Sequence, residues 1–592
     1  MTPGHAPLLG VAESLTGQAW RQRPFEERTA LAMSQRLGLS DLVARLLTQR
    51  GIGPDEAEAF LTPRLRDSLP EPLDLKDMDR AVARLTRAIQ AEEPVAVFGD
   101  YDVDGATSAA LLQRFFAALG QELRVYIPDR LREGYGPNVP ALRQLAAEGR
   151  RVVITVDCGT TATEALSEAR DLGLDVLVID HHVAEAALPP ALALVNPNRL
   201  DDDSGAGTLA AVGVVFLLLV ALNRALREAG HYGGDRAEPR LMQWLDLVAL
   251  GTVADVAPLS GLNRVLVAQG LKVIQARRNG GLAALLQVAG LEQSVSAGQL
   301  SFQLGPRVNA GGRVGQADLG ARLLACDDPL QAQGLAQELD RLNRERQEIE
   351  AAVLADATAS VEQGPAPSGM VVAAGEGWHA GVIGIVAARL RERFGLPALV
   401  LALEGDLAKG SARSVPGFDL GGLILKARAE GLLLAGGGHR MAAGLTVARD
   451  RLPALTDFLQ AAATADLERQ GYRPSLEIDA VVAAANLDLV EGTQSLAPFG
   501  VGNPQPRFVL PSQRLALVEI MAERHLRLRL QGEGGQDLRA VAFRAMEGPL
   551  GEALLAARGR RLHMAGRLER DAWRGGDAVQ LLLEDAAEVA TP

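Results

Sequence analysis

The sequence predicts an α/β protein in several parts: a parallel-sheet unit, a long connecting helix, a smaller α/β unit and a C-terminal β-barrel. Three patterns carry that expectation. From about residue 80 to 195, short apolar runs alternate with amphipathic stretches of ten or more residues, which is how a parallel sheet covered on both faces is written. Residues 329–363 form one long, charged helical pattern with no glycine after Gly334 and no internal proline. The last 115 or so residues change to short alternating strands. A length of 592 residues suits several domains.

Taken in order, residues 1–75 read as a helical segment with turns at Gly51-Ile52-Gly53-Pro54 and around Pro63, Pro70 and Pro72. Residues 76–328 form the first α/β domain. DRAVARLTRAIQ is amphipathic, and PVAVF, LRVYIP, RVVITV, LDVLVI and LALV are strand-like. Helical patterns lie between them, the one before LRVYIP closed by Gly120. Residues 208–290 are mainly helical. Their most hydrophobic run, 209–222, is about four residues short of a membrane span and reads as a buried core helix. Residues 329–363 are the connecting helix, 364–474 a second α/β domain, and 475–592 a barrel with strands such as HLRLRLQ and RLHMAGRLER.

Composition excludes some functions. The net charge of −13 argues against a generally basic nucleic-acid binder, so any such binding uses local patches. Cys158 and Cys326 are far apart and in no CxxC, which fits a reducing cytoplasm and no zinc module. MTPGHAPLLG lacks a basic stretch followed by an apolar core, so no secretory signal is expected.

The chemistry is concentrated where strands should end. Asp100, Asp102 and Asp104 follow PVAVF, Asp157 follows RVVITV, and Asp180-His181-His182 follow LDVLVI. One aspartate behind a strand is ordinarily a turn residue or a helix cap. Three strands delivering acids and imidazoles to one sheet edge is a coincidence that asks for a ligand. Two unit charges about 4 Å apart repel by roughly 4 kcal/mol at an effective dielectric of 20, and a bound cation removes that cost. Asp255 is a fourth candidate, set in the apolar stretch LVALGTVADVAPL. Oxygen and imidazole donors without thiolate favour Mn²⁺ or Mg²⁺ over structural zinc, and the imidazole favours Mn²⁺. The number of carboxylates suits two ions about 3.5–4 Å apart.

The motifs GDYDVDG, VDCG, DHH and GTVADVAPL, in that order, resemble those of the DHH phosphoesterase superfamily. Their surroundings are most similar to the RecJ single-strand-specific exonucleases, from roughly residue 30 onward. The resemblance implies a DHH domain, a DHHA1 substrate-binding domain and an OB-like barrel. It implies Asp102, Asp104, Asp157, His181 and Asp255 as ligands of Mn²⁺, with Mg²⁺ as substitute and Asp157 as the bridge. Asp100 stands where some relatives carry histidine and is placed with the catalytic residues rather than the metal ligands, and His182 is expected to touch the scissile phosphate or support the ligands from behind rather than bind metal. The filled positions argue against the catalytically degenerate relatives that serve as replication scaffolds.

SFQLGPRVNAGGRVG, residues 301–315, reads as a Gly-rich loop in which Arg307 and Arg313 suit phosphate oxygens. Its resemblance to a RecJ motif adds Asn309 and Arg313 to the catalytic set and Arg307 to the substrate contacts. In KGSARSVPGFDL, Ser411 and Arg413 alternate, so both face one side of an extended segment. AGGGHRMAAG resembles the GGGH…AAG motif of DHHA1 domains; Gly437 and Gly438 allow close backbone approach, and His439 adds a donor. The resemblance implies that these residues recognise the 5′ end. From Phe499 to Arg574 thirteen arginines face eight acids, an excess of +5 in an acidic protein. Phe499, Phe508, Phe543 and Trp573 are stacking candidates, of which Trp573 in RDAWRGG is expected to be exposed.

The expected activity is therefore a 5′→3′ exonuclease on single-stranded DNA, releasing 5′-mononucleotides by two-metal hydrolysis in DNA repair and recombination. Its implied partners are a single-strand-binding protein and a helicase, and the enzyme is expected to be monomeric, cytoplasmic and free of membrane. Two alternatives remain at this stage: a phosphodiesterase of short oligonucleotides or cyclic dinucleotides, and a non-catalytic DNA-binding scaffold.

Overall fold

A computed structural model of the chain describes residues 6–130, 132–234, 236–571 and 576–589. They divide into two units. One comprises Glu58–Arg346 with Ala497–Pro504; the other comprises the residues up to Ala57, Gln347–Leu496 and those from Gln505 onward.

The first unit is built on five parallel strands: β1 (Val95–Gly99), β2 (Leu123–Tyr126), β3 (Val152–Val156), β4 (Asp175–Ile179) and β5 (Ala193–Val195). Their order is β2-β1-β3-β4-β5. The strands are apolar without alternation because both faces are covered. Val95, Val97, Ile154 and Leu177 enter one core; Ala96, Phe98, Val153 and Val178 enter the other. The larger core is completed by α1 (Val103–Ala118), α2 (Ala211–Glu228) and α3 (Leu245–Ala254). Helix α2 is the expected core helix. Among the described residues no helix is long and apolar enough to cross a membrane.

One expectation for this unit is corrected. Residues 301–315 are not a Gly-rich loop. Leu300–Leu304 form a π-helical turn that leads directly into α4 (Gly305–Val314). The glycines serve packing instead: a Cβ at Gly312 would lie 2.1 Å from the Tyr101 ring. The long helix α5 spans Pro329–Gln363, as the charge pattern predicts.

The second unit holds a five-stranded sheet and a barrel. The sheet contains β6 (Val371–Glu376), β7 (Ala398–Glu404), β8 (Leu407–Arg413), β9 (Ala435–His439) and β10 (Ala442–Ala448), in the order β9-β10-β8-β7-β6. One face packs on helices Leu420–Ala429 and Leu452–Gln470. The other packs on helix Ile383–Phe394 and the C-terminal half of α5.

The barrel contains β11 (Phe508–Met521), β12 (His525–Gln531), β13 (Asp537–Ala542), β14 (Arg561–Arg570) and β15 (Val579–Glu588), and is closed by pairing of β11 with β14. HLRLRLQ shows how it is encoded: Leu526, Leu528 and Leu530 fill the interior, while Arg527 and Arg529 face out.

The N-terminal segment is more than short helices. Ala19–Gln22 is a strand paired in parallel with Ser475–Ile478, and Trp20 is fully buried with its indole N–H donating to Asp585 Oδ2 at 2.8 Å.

Candidate metal centre

The strand order reverses between β1 and β3, which makes their carboxyl ends the ligand-binding crevice of an open α/β sheet. Asp100, Asp102 and Asp104 leave β1 there, Asp157 leaves β3, and Asp180, His181 and His182 leave β4. Asp255 arrives from the end of α3.

Backbone groups fix each acid. Asp102 caps α1, accepting from the N–H groups of Asp104 and Gly105 at 3.0 and 3.1 Å. Asp104 accepts from the N–H groups of Ala211 and Val212 at 2.6 and 2.9 Å, so the N-terminus of α2 points at it. Gly251 makes that approach possible: a Cβ there would lie 2.3 Å from Thr107 Oγ1 and 3.1 Å from Asp104 Oδ1. Asp157 and Val256 both hold left-handed backbone, at φ of 61° and 63°. For a β-branched residue such as Val256 this is strain, stored beside the ligand candidate Asp255.

Asp180 organises the histidines. Its carboxylate accepts from the N–H groups of His181, His182 and Thr160 at 2.7, 3.2 and 3.1 Å, and from His182 Nδ1 at 2.8 Å. Asn196 and Asn198 brace the carbonyls of His182 and His181 at 2.8 and 2.5 Å. His181 is thereby set among acids, its Nε2 3.2 Å from Asp157 and 3.8 Å from Asp104, its Nδ1 3.8 Å from Asp255.

Electrostatics separate these groups. Burial and the neighbouring Asp102 push Asp104 up to about 7. Burial, Asp104 and Asp102 push Asp255 up to about 9. Asp100 and Asp157 are likewise driven well above the ordinary carboxylate range by burial and by the other acids. Burial and the charge of His182 lower His181, which favours a neutral, ligating imidazole. His182 goes the other way: burial opposes its charge, but the bond to Asp180 and the surrounding carboxylates raise it to about 9. Asp180 is held below the usual range, because His182 outweighs burial.

These residues fit divalent ions. Three sets place one donor atom per residue within 4.8 Å of one another: Asp104, His181 and Asp255; Asp100, Asp102 and Asp157; and Asp157, His181 and His182. Asp157 and His181 each belong to two sets; a carboxylate, with two oxygens, can serve two ions, a neutral imidazole one. Asp100 Oδ1 and His181 Nε2 are buried without a hydrogen-bond partner. A buried orphan donor or acceptor is costly unless something occupies it.

Three side chains beside the acids went unrecognised in the sequence. Arg130 lies over the Tyr101 ring at 5.0 Å. Burial lowers its pKa, Asp100 raises it and Arg313 lowers it, so Arg130 stands within reach of Asp100 and Arg313 near Arg130. Tyr135 donates to the Asp157 carbonyl at 3.0 Å and meets the His182 ring edge-on at 5.9 Å. Asn196, which supports His182, follows β5. Asn196 directly follows a strand and Arg130 and Tyr135 lie in the loop after β2, but none carries the acidic or imidazole signature. Asn309 Oδ1 is buried in α4 without a partner. Arg307 differs from expectation: it is engaged by Asp340 at 2.9 Å and the Gln303 carbonyl at 2.6 Å, and braces helices rather than presenting a guanidinium to phosphate.

In the second unit, strand register aligns Ser411 with Gly444 and Gly437, and Arg413 with Ala442 and His439. The five residues and Ala442 thus form two rows on one face, with glycines leaving an open floor. Arg413 Nη1 donates to Ser411 Oγ at 3.2 Å. Helix Ile383–Phe394 begins against this pair, since a Cβ at Gly384 would be 3.0 Å from both Ser411 Oγ and Arg413 Nη2. A helix N-terminus, a hydroxyl and a guanidinium together suit a phosphate. Gly438, at φ 155°, packs its backbone against Ala442 and Ala443. On the barrel, Phe508 is core and Phe543 is 63% exposed, edge-on to His525 at 5.4 Å. Trp573 lies outside the described residues.

Acids converging with an imidazole at a β1/β3 switch point, in a chain that also carries a second α/β sheet and a barrel, define a metal-dependent phosphoesterase. Family models agree: the DHH family N-terminal domain matches residues 94–252, the DHHA1 domain 368–465 and the RecJ OB domain 477–585. The single-stranded-DNA-specific exonuclease RecJ of Dickeya dadantii is 37% identical, over 95% of this chain and 98% of its own. That of Escherichia coli is 35% identical over the same shares. The crystal structure of Thermus thermophilus RecJ in complex with Mn²⁺ superimposes with a TM-score of 0.78 at 31% identity, covering 97% of this chain and 79% of that one. The chain belongs to the RecJ family.

Proposed function

We infer that this chain is a metal-dependent exonuclease that hydrolyses single-stranded DNA from the 5′ end and releases 5′-mononucleotides. The carrying observation is that Asp102, Asp104, Asp157, His181 and Asp255 fall into overlapping donor sets joined through Asp157 and His181, whose Nε2 is buried without a hydrogen-bond partner. These residues would hold Mn²⁺ or Mg²⁺, and the relative's Mn²⁺ complex supports that assignment. Such ions supply Lewis-acid activation of water and neutralise charge gathering at phosphorus.

The chain's own groups do the rest. His182, charged and fixed through Nδ1 by Asp180, stabilises the crowded phosphate and can give a proton to the departing O3′. Arg130 offsets the negative charge beside Asp100, and Arg313, next to Arg130, adds a second cation for the phosphate. Water attacks phosphorus, the P–O3′ bond breaks, and the first nucleotide leaves with its 5′-phosphate. The remaining strand keeps a new 5′-phosphate. Ser411, Arg413 and His439, over the floor of Gly437 and Gly438, suit that recurring terminus, and the outward arginines of the barrel suit the strand behind it. The reading extends to roles in repair and recombination, to a single-strand-binding protein and a helicase as partners, and to a cytoplasmic monomer. The two buried free thiols, Cys158 and Cys326, support a reducing compartment.

The test is hydrolysis of a single strand labelled at either end, with Mn²⁺. Early release of labelled mononucleotide from the 5′ end alone is expected. Release from the 3′ end, or turnover confined to dinucleotides, would contradict the reading.

A further inference from the structure

Aromatic rings are scarce in this chain, and among the described residues only three are more than half exposed: Tyr135 at 53%, Phe543 at 63% and Phe302 at 82%. Tyr135 stands in the metal centre and Phe543 on the barrel. Phe302 has no such explanation.

It sits on the π-helical turn Leu300–Leu304, whose two end residues are fully buried. Those anchors fix the turn in the core, and the wider turn carries the intervening ring outward. Single π turns recur at functional sites. Arg307 braces the turn by joining the Gln303 carbonyl to Asp340. The turn also abuts the metal centre. A Cβ at Gly305, its next residue, would lie 3.5 Å from Ala254 and 3.9 Å from Val103. Ala254 precedes Asp255, and Val103 lies between Asp102 and Asp104. Val256, on the other side of Asp255, is 58% exposed. The rim beside the acid-bearing segments, three residues from Gly305 in one case and next to Asp255 in the other, thus carries an aromatic ring and an aliphatic side chain facing solvent.

A single strand brings unstacked bases to this rim, and every base has a face on which a ring can stack regardless of sequence. We propose that Phe302 stacks on a base of the bound single strand close to the scissile phosphate and so positions the substrate. The proposal rests on the exonuclease reading. It also gives Arg307 a positioning role, through the turn it braces.

The test uses the full-length enzyme, a short 5′-phosphorylated strand, and copies of that strand with one abasic residue at successive positions. Phe302→Ala is expected to raise KM about tenfold while leaving kcat within about twofold. Phe302→Trp should restore KM. One abasic position should weaken the wild type by a similar factor and leave Phe302→Ala unaffected. The salt dependence of KM should be unchanged, because no charge is removed. An unchanged KM in Phe302→Ala, or an abasic penalty that persists in it, overturns the proposal. Fluorescence anisotropy of the same strand in EDTA reads binding without turnover. A wild type that binds in EDTA but does not hydrolyse the strand in Mn²⁺ counts against the exonuclease reading, whereas a tenfold binding loss in Phe302→Ala still supports the stacking role.

Discussion

Asp157 is the residue on which most of the site turns, since it shares two donor sets and holds a left-handed backbone to do so. Asp157→Ala should lower Mn²⁺-dependent kcat by at least about 100-fold, read in single-turnover hydrolysis; activity near wild type would contradict a bridging role for it. Asp180→Asn tests the layer behind. Asn keeps the shape but loses the charge that fixes His182, so a loss of roughly 10–100-fold in activity with little change in melting temperature is expected. At this scale the sequence was legible wherever chemistry has a distinctive side chain. Acids and imidazoles behind strands, with Asp255 in its apolar stretch, mark the region, the family motifs imply Asp102, Asp104, Asp157, His181 and Asp255 within it, and these fall into overlapping donor sets. Arg130, Tyr135 and Asn196 could not, because an arginine, a tyrosine or an asparagine in a loop is ordinary until its neighbours are known. Arg307 shows the converse: a cation beside glycines looks like a phosphate ligand, and only Asp340, distant in sequence, reveals that it is engaged.

Helices and strands position these side chains through close approaches that glycine permits. A Cβ at Gly105 would lie 2.4 Å from the Asp100 carbonyl, so α1 could not start where it does. Gly105→Ala should destabilise the protein by about 1–3 kcal/mol and weaken Mn²⁺ binding with it, measured by melting with and without the ion. Loss of metal binding with unchanged stability would show that the glycine serves the site and not the packing. At the second unit, Arg413→Ala should abolish the preference for 5′-phosphorylated over 5′-hydroxyl strands, a change of roughly tenfold in KM; a preserved preference would reassign terminus recognition. Elements with strong local periodicity were readable, including the five parallel strands, α2, α5 and the barrel strands. Two were not. The four-residue strand Ala19–Gln22 exists because Ser475–Ile478 pairs with it, a partner no local pattern announces. Helix α4 is disguised by glycines that serve packing against Tyr101 rather than a turn.

For the whole molecule, the acidic cluster links metal, pH and stability. Asp255 titrates at about 9 and Asp104 at about 7 in the metal-free fold, against 3.8 ordinarily. Between those values the folded chain holds protons that the unfolded chain has lost, so raising the pH from about 5 to 9 weakens the metal-free protein. Divalent ions replace those protons. The gain in melting temperature from saturating Mn²⁺ should therefore be larger near pH 8.5 than near pH 5.5, and a gain independent of pH would contradict the shifts. The order of domains was legible because each is written in its own periodicity, whereas the way the N-terminal segment joins the C-terminal part of the chain was not, since it depends on side chains such as Trp20 and Asp585 that are far apart in sequence. What matters most is whether carboxylates and imidazoles from separate strand ends meet in order to hold ions. Anomalous scattering at the manganese edge from crystals in saturating Mn²⁺ answers this directly. Density peaks are expected among Asp102, Asp104, Asp157, His181 and Asp255; no peak there, with the side chains as placed, would refute it.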